Sequence, residues 1–324
     1  MNDTSGLNSN IKNILEIARL APSVHNTQPW EVTVKDQTIH IKLDPDFTLG
    51  DGDPTGRETI ISMGIFSEAI IIAAGYLGYK LRSMKFHNQS TDITFQKLQG
   101  KPGTAEAVDL LKQRCTDRSI YTPYDVTPEM ADTMEKAYAK GDVRIWVRTD
   151  PDSLQKTAQL TAQGISLALS SPNFRKELSQ YLTEPWSKKG RGIAVDSLYI
   201  PRFVAVLEPY LMRLGVGVGA EVKLEKKRWL SASADIYIAT RGDMPEYWFK
   251  AGRAYLQVSL QIEKLGLSQA TSAATVEASN FHEDIEEMLG TNFRLQSVLR
   301  VGQGSKNRVH SPRVTTDTLL ATSS

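Results

Sequence analysis

The chain has 324 residues, enough to bury a full core in one large domain or two ordinary ones. Its 38 Lys and Arg against 37 Asp and Glu leave a net charge of +1, with no excess to neutralise nucleic-acid phosphates or an anionic membrane. The single cysteine, Cys115, can neither close an internal disulfide nor build a structural zinc site, and residues 1–20 show no signal-peptide run, so a cytoplasmic protein is expected.

Along the chain, Ile11, Ile14, Leu15 and Ala18 recur at helical spacing and predict a first helix that stops before Pro22. Val32 and Val34, then Ile39, Ile41 and Leu43, alternate around Lys35-Asp36-Gln37 as a β-hairpin closed by Asp44-Pro45-Asp46. After a Gly/Asp-rich loop, residues 59–79 are apolar enough to suggest a membrane span, but Glu68 near the middle and the missing interfacial belts favour a helix buried in a core or at an internal interface. Thr127-Pro128-Glu129 opens another helix, and Val143, Ile145 and Val147 alternate in a strand ended by Asp150-Pro151-Asp152. Residues 251–267 read as a second copy of the long helix: Gly64 and Leu77-Gly78 match Gly252 and Leu265-Gly266 at a common offset of 188. The two Asp-Pro-Asp copies are offset by 106, so the second unit is expected to carry 82 extra residues between its strand and its long helix. The expected organisation is an N-terminal half, 1–112, and a C-terminal half, 113–324, with an insertion at about 153–235. The halves would pack like a dimer with its subunits joined.

Three strings carry chemistry. Residues 21–30, APSVHNTQPW, hold backbone N–H groups between two prolines and offer amides at Asn26 and Gln28, which suits a flat, polar-edged heterocycle; a rigid helix-to-strand connection anchored by Trp30 explains them equally well. Residues 114–119, RCTDRS, cluster two guanidiniums with hydroxyls and suit a phosphate, or form a solvated basic turn. Residues 308–313, RVHSPR, repeat that chemistry near the C-terminus. Gly215-Val-Gly-Val-Gly219 lacks the spacing of a dinucleotide fingerprint and reads as a turn, and the five dispersed histidines do not form a metal site.

Taken together, these strings resemble the nitroreductase family of FMN-dependent oxidoreductases. LAPSVHNTQPW matches that family's PS-x-x-N-x-QPW loop, RCTDRS its phosphate-binding opening, LGLSQATSAATVE its loop beneath the flavin's reactive edge, and SPR at 311–313 its C-terminal basic element. DPTGRETIISMG, FRKEL and SPRVTTDTLL resemble its long, fused, single-chain branch, often called Acg-type. The resemblance implies an α+β fold of two nitroreductase-like halves forming an intramolecular pseudo-dimer, monomeric as such or further oligomerised. It implies FMN as cofactor, held by Ser23, Val24, His25, Asn26, Gln28, Arg114, Thr116, Arg118, Thr271, Ser272, Ala273, Ala274 and Arg313, with Arg114, Arg118 and Arg313 on the phosphate and His25 a candidate for substrate contact. NAD(P)H and a small organic acceptor would be the partners, with no nucleic acid, membrane or metal.

Because the PS-x-x-N-x-QPW loop precedes residue 31 and the other motifs follow residue 113, one composite site per chain is expected. The mirror site lacks both an N-terminal phosphate motif and, at AYAKGDVRIW, the ring loop. Asp117 would repel a phosphate unless turned away. Ser272-Ala273-Ala274 lacks the acid-Gly pair of many active relatives, which leaves an FMN-sequestering protein without turnover as the alternative. The insertion is expected to act as a lid, with Ser187–Gly192 as a mobile connection.

Overall fold

The computed structural model describes residues 5–99, 103–138, 140–184 and 186–320. In the first half, α1 (Ser5–Ala18) leads through the 22–29 loop to β1 (Trp30–Lys35) and β2 (Thr38–Leu43), the expected hairpin, then to α2 (Arg57–Tyr76), β3 (Tyr79–Phe86), β4 (Ser90–Lys97) and α3 (Glu106–Gln113). The second half runs α4 (Pro128–Glu135), β5 (Val143–Arg148), α5 (Pro151–Ser170), α6 (Pro172–Gln180), β6 (Leu182–Thr183), β7 (Ile193–Ala194), α7 (Arg202–Leu214) and α8 (Val218–Leu230). It then returns through β8 (Ala234–Thr240), α9 (Pro245–Lys264), β9 (Ser268–Thr271), α10 (Ala274–Glu277), α11 (Phe281–Leu289), β10 (Arg294–Gly302) and α12 (Thr316–Leu319). The caps follow the sequence: Thr127 accepts from Met130 N at 3.3 Å, and Asp150 from Ser153 N at 2.9 Å, each beside a proline at the first helical turn.

Two antiparallel four-stranded sheets result, ordered β1-β2-β4-β3 and β5-β8-β10-β9. Each takes its strands in the order first, second, fourth, third, with a 20-residue helix between the second and third. This order corrects the spacing argument for the insertion. Asp44-Pro45-Asp46 follows the second strand of its sheet, whereas Asp150-Pro151-Asp152 follows β5, the first strand of the other, so the two copies are not equivalent. The extra segment, α5 to α8, therefore separates two strands of one sheet, not a strand from the long helix. Its α7–α8 corner bends by 118° at Gly215 and Gly217, both at positive φ, where glycine escapes the Cβ clash.

The long helices cross at their glycines. A Cβ on Gly64 would overlap the Phe249 carbonyl oxygen, and one on Gly252 would overlap that of Ile61; Ile61 and Phe249 are themselves 188 residues apart, so the contact is reciprocal. Phe66, Ala69, Ile70 and Ala73 of α2 and Ala251, Ala254, Val258 and Ile262 of α9 are buried in one core that reaches both sheets. Glu68, which argued against a membrane span, accepts from Arg253 Nε at 2.6 Å and Gln257 Nε2 at 2.7 Å on the opposing helix. Among the described residues α2 alone is long and apolar enough to cross a membrane, and most of it is buried within the protein.

Close backbone approach leaves no room to relax. Gly64→Ala or Gly252→Ala should each destabilise by about 1–3 kcal/mol or more, read by urea denaturation, whereas Gly219→Ala, with open space at its Cβ, should be neutral or mildly stabilising. Wild-type midpoints for both crossing variants would contradict this packing.

Candidate functional site

A cavity of about 530 Å³ lies where the two halves and the insertion meet. Its lining includes Ser23, Val24, His25 and Asn26 from the loop before β1, Arg114, Thr116 and Arg118 after α3, Thr271 to Ala274 at the end of β9, and Arg313 from the C-terminal segment. Four stretches separated by up to 290 residues of sequence thus converge, and the size is that of a small-molecule or cofactor site. Gln28 is not on the wall.

The 22–29 loop is held under strain. His25, Asn26 and Gln28 have φ of 45°, 55° and 49°, a left-handed region that side chains other than glycine enter at a cost. Its polar side chains are what hold it there. Ser23 Oγ accepts from Gln28 N at 2.9 Å, and Val24 N donates to Ser62 Oγ on α2 at 3.0 Å. Asn26 Nδ2 donates to Gly192 O and Pro312 O, both at 2.8 Å, while its Oδ1 accepts from Arg313 Nη1 at 3.0 Å. Gln28 Nε2 donates to Gly190 O at 2.8 Å and its Oε1 accepts from Val314 N at 3.0 Å. Gln28 is therefore a strut joining the loop to the insertion and the C-terminal segment, and its expected cofactor contact is replaced by that role. Trp30, stacked on Phe66 at 4.2 Å, anchors the strand that follows.

The RCTDRS segment runs beside β9, with Thr116 bridging Gln269. Asp117 turns away from the cavity: its carboxylate accepts from Ser119 N, Ser305 N and Ser268 Oγ at 2.9–3.0 Å. Arg114 is buried, and its Nε and Nη1 have no hydrogen-bond partner. Around it stand Arg313, whose pKa burial and then the Arg114 and Arg19 charges hold down to about 9, and His310, lowered by burial and by Arg114, Arg308 and Arg313. Arg308 is committed elsewhere, donating to Glu263 at 2.8 and 2.5 Å and to Cys115 Sγ at 3.1 Å. Arg114 and Arg313 thus bring two buried guanidiniums with unpaired donors to this end of the cavity, beside a histidine whose charged form they disfavour, and an anion would satisfy them. Arg118 donates to Ser197 Oγ of the insertion at 3.3 Å; burial lowers its pKa, with Glu225 opposing and Arg228 and Arg300 adding to it. Of the three arginines expected at the phosphate, all line this one cavity; Arg313 feels the charge of Arg114, and Arg118 is engaged with the insertion.

His25 is pushed down to about 4 by burial and by Arg118, so it is neutral at physiological pH, and its Nδ1 is buried without a partner. Phe174 and Tyr181 of the insertion approach its ring, each at 6.3 Å between centroids. The insertion also seats the third wall. Gly164 of α5 lies so close to Ala274 that a Cβ would overlap the Ala274 carbonyl oxygen, and Thr161 and Thr275 share a 2.7 Å hydrogen bond.

Ile165, Leu169, Phe174, Leu178 and Leu198 of the insertion complete the cover. Its tether differs from the sequence expectation. The 187–192 stretch is a docked strap, because Gly190 and Gly192 bond the ring loop and Arg191 donates to Thr27 O at 2.8 Å while lying 3.5 Å over the Phe47 ring. A second tie is Glu177 on α6, whose carboxylate accepts the backbone N–H groups of Gly50, Asp51 and Gly52 at 2.7, 3.1 and 2.7 Å. Sequence reasoning missed this tie and also missed Glu58, Ser62 and Tyr255, all on the cavity wall. The signal available was weak: polar residues at single positions of two apolar helices.

Comparison with known proteins agrees with the motifs. Residues 1–74 match a family model described as "Putative TM nitroreductase". Over 298 residues the chain is 24% identical to "Putative NAD(P)H nitroreductase Rv3131" of Mycobacterium tuberculosis, spanning 90% of this chain and 84% of that one. It is 27% identical over 187 residues to "Putative NAD(P)H nitroreductase acg" of the same organism, 55% of each chain. Among solved structures, the FMN and NADPH-dependent nitroreductase NfnB from Sphigopyxis sp. strain HMH aligns with a TM-score of 0.43 and 18% identity over 67% of this chain and 99% of that one. By sequence the chain is similar to a putative NAD(P)H nitroreductase along most of its length, and to acg over about half of it.

Three backbone donors on one carboxylate form a strong tie between insertion and first half. Glu177→Ala should accelerate amide hydrogen exchange at Gly50–Gly52 by about tenfold or more while β8 and β10 stay protected; wild-type exchange at those glycines would show that something else holds the loop.

Proposed function

We propose that this chain is an FMN-dependent oxidoreductase that passes electrons from NAD(P)H to a small organic acceptor, with one FMN in the cavity between its halves. The observation that carries the reading is the buried Arg114, with two guanidinium nitrogens lacking partners, beside Arg313 in the wall of a cavity of cofactor size. A phosphate there would take up donors that are otherwise buried and unmade, at a cost of about 1–3 kcal/mol for each unmatched group.

The residues present fit FMN. Arg114, with Arg313 beside it, would hold the phosphate; Thr116 and Arg118 would line the path toward the ring. Ser23 to Asn26 would cover one face and Thr271 to Ala274 meet the reactive edge. FMN would supply a two-electron carrier able to take hydride from a nicotinamide and deliver it to an acceptor. The protein's share is position, exclusion of water by the insertion, and polar groups held ready by the strained loop. The matching strand orders and the reciprocal glycine crossing support two nitroreductase-like halves joined as an intramolecular pseudo-dimer, with the insertion as a lid. The lone, buried Cys115 accords with a reducing cytoplasm.

The alternative is sequestration, favoured by the double tie of the insertion through Glu177 and the 190–192 strap. Anaerobic addition of NADPH to flavin-loaded protein, followed by a quinone or nitroaromatic, separates them: bleaching and then reoxidation indicates an enzyme, and a flavin that never bleaches indicates storage. Arg114→Ala should weaken FMN roughly tenfold to a hundredfold, from charge-assisted bonds of about 1.5–3 kcal/mol, with riboflavin affinity little changed. Equal losses for both flavins, measured by fluorescence titration, would take Arg114 away from the phosphate.

A further inference from the structure

The loop from Ser272 to Ala274 carries no acid, but the cavity wall next to it does. Arg57, buried at the start of α2, donates from Nη2 to Glu58 Oε1 at 2.6 Å and from Nε to Glu277 Oε1 at 2.6 Å; Glu277 ends α10, three residues beyond Ala274. Its Nη1 is taken by Gln296 O and Oε1 at 2.7 and 3.0 Å. A third carboxyl, Asp53, caps α2 by accepting from Glu58 N at 3.0 Å and Thr59 N at 2.8 Å and is 2% exposed. Glu58 and Glu277 therefore share one guanidinium, and Asp53 adds a third carboxyl whose charge both of them feel. Beyond these, Asp243 is tied to Arg294 and Trp248, His282 is lowered chiefly by burial with the Arg294 and Arg57 charges adding to it, and the phenol facing the cluster from α9 is Tyr255.

Two uncompensated negative charges in a dry site are costly, and the cheapest remedy is a proton. Burial, with Glu277 and Asp53 adding to it and Arg57 opposing, pushes Glu58 up to about 8. Glu58 lines the cavity, and its Oε2 has no hydrogen-bond partner among the described residues. His25, held near 4, has no extra proton to give at neutral pH. Glu208, raised to about 7 by burial and Glu221, projects from α7 in the insertion and has no tie to the Ser272–Ala274 loop.

We propose that Glu58 is the proton donor of this site, replacing from helix α2 the acid that the loop lacks. The inference rests on the flavin reading above. A quinone acceptor takes a hydride, two electrons with one proton, from the reduced cofactor, which is thereby oxidised. The Glu58 O–H bond breaks as the O–H bond of the hydroquinone forms, Arg57 holds the resulting carboxylate, and solvent restores the proton before the next turnover.

Two measurements on Glu58→Gln test this. In the flavin-free protein, Glu58 keeps a proton that the unfolded chain releases above its ordinary carboxyl pKa. Wild-type stability should therefore be full at about pH 4.5, fall as pH rises through about 8, and lose much of that slope in Glu58→Gln. In the loaded protein, stopped-flow reduction by NADPH should be nearly unchanged. Reoxidation by benzoquinone at pH 7 should slow by about a hundredfold and lose its decline above pH 8, and Glu58→Asp should restore part of both. Should Glu58→Gln fail to fold, Glu58→Asp alone must shift the reoxidation pH profile. An unaltered stability slope together with an unaltered reoxidation profile overturns the proposal, as does a profile abolished by Glu208→Gln instead. A wild-type protein that binds no FMN overturns the flavin reading and the donor role with it, and is seen as absent cofactor before any variant is compared.

Discussion

Two glycines facing each other's helix backbones set the distance between the halves. Any side chain at Gly64 or Gly252 would force α2 and α9 apart, and with them Glu58, Ser62 and Tyr255, which those helices present to the cavity. The buried Glu68–Arg253 pair lies on the same contact and fixes rotation as well as spacing, since breaking a buried pair typically costs about 3–5 kcal/mol. A site whose walls come from both halves depends on this rigidity. A slip along the crossing would misplace the 22–29 loop against the Arg114 and Arg313 side of the cavity.

The electrostatics of the cavity are divided by wall. Arg114 and Arg313 make one end cationic with donors unspent, while Glu58 and Glu277, with Asp53 nearby, share one guanidinium at another. Each imbalance is tolerable only if something answers it: an anion at the first, a proton at the second. The insertion makes both sharper by excluding water. It does so through ties to backbone groups, Glu177 to the 50–52 amides and Gly190 and Gly192 to the Asn26 and Gln28 amides.

Local signals were legible in the sequence, and relations between distant segments were less so. Prolines and caps gave the ends of helices, alternation gave the β1–β2 hairpin, and the 188-residue offset of Gly64 and Gly252 predicted a pairing that the crossing realises. The Asp-Pro-Asp offset misled because such turns close any strand, and only the order of strands in the sheet showed that the two copies are inequivalent. Gln28 looked like a ligand contact because amides suit heterocycles, but the same two-sided hydrogen bonding suits a strut. Lys188 to Gly192 looked loose because its partners, Thr27, Phe47 and the ring loop, lie more than 130 residues away. Glu58 was hidden by its ordinary place, an acid in the first turn of a helix. Its raised pKa follows from burial, with Asp53 and the sequence-distant Glu277 adding to it.

The central claim is that the halves cooperate to build one flavin site. Loading the purified protein with excess FMN, removing what is free, and measuring acid-released flavin against protein concentration tests it most directly. A ratio of about one per chain is the predicted result. A reproducible ratio near two would mean that a second, mirror site survives, and a ratio near zero would mean that the cation-lined cavity holds some other anion.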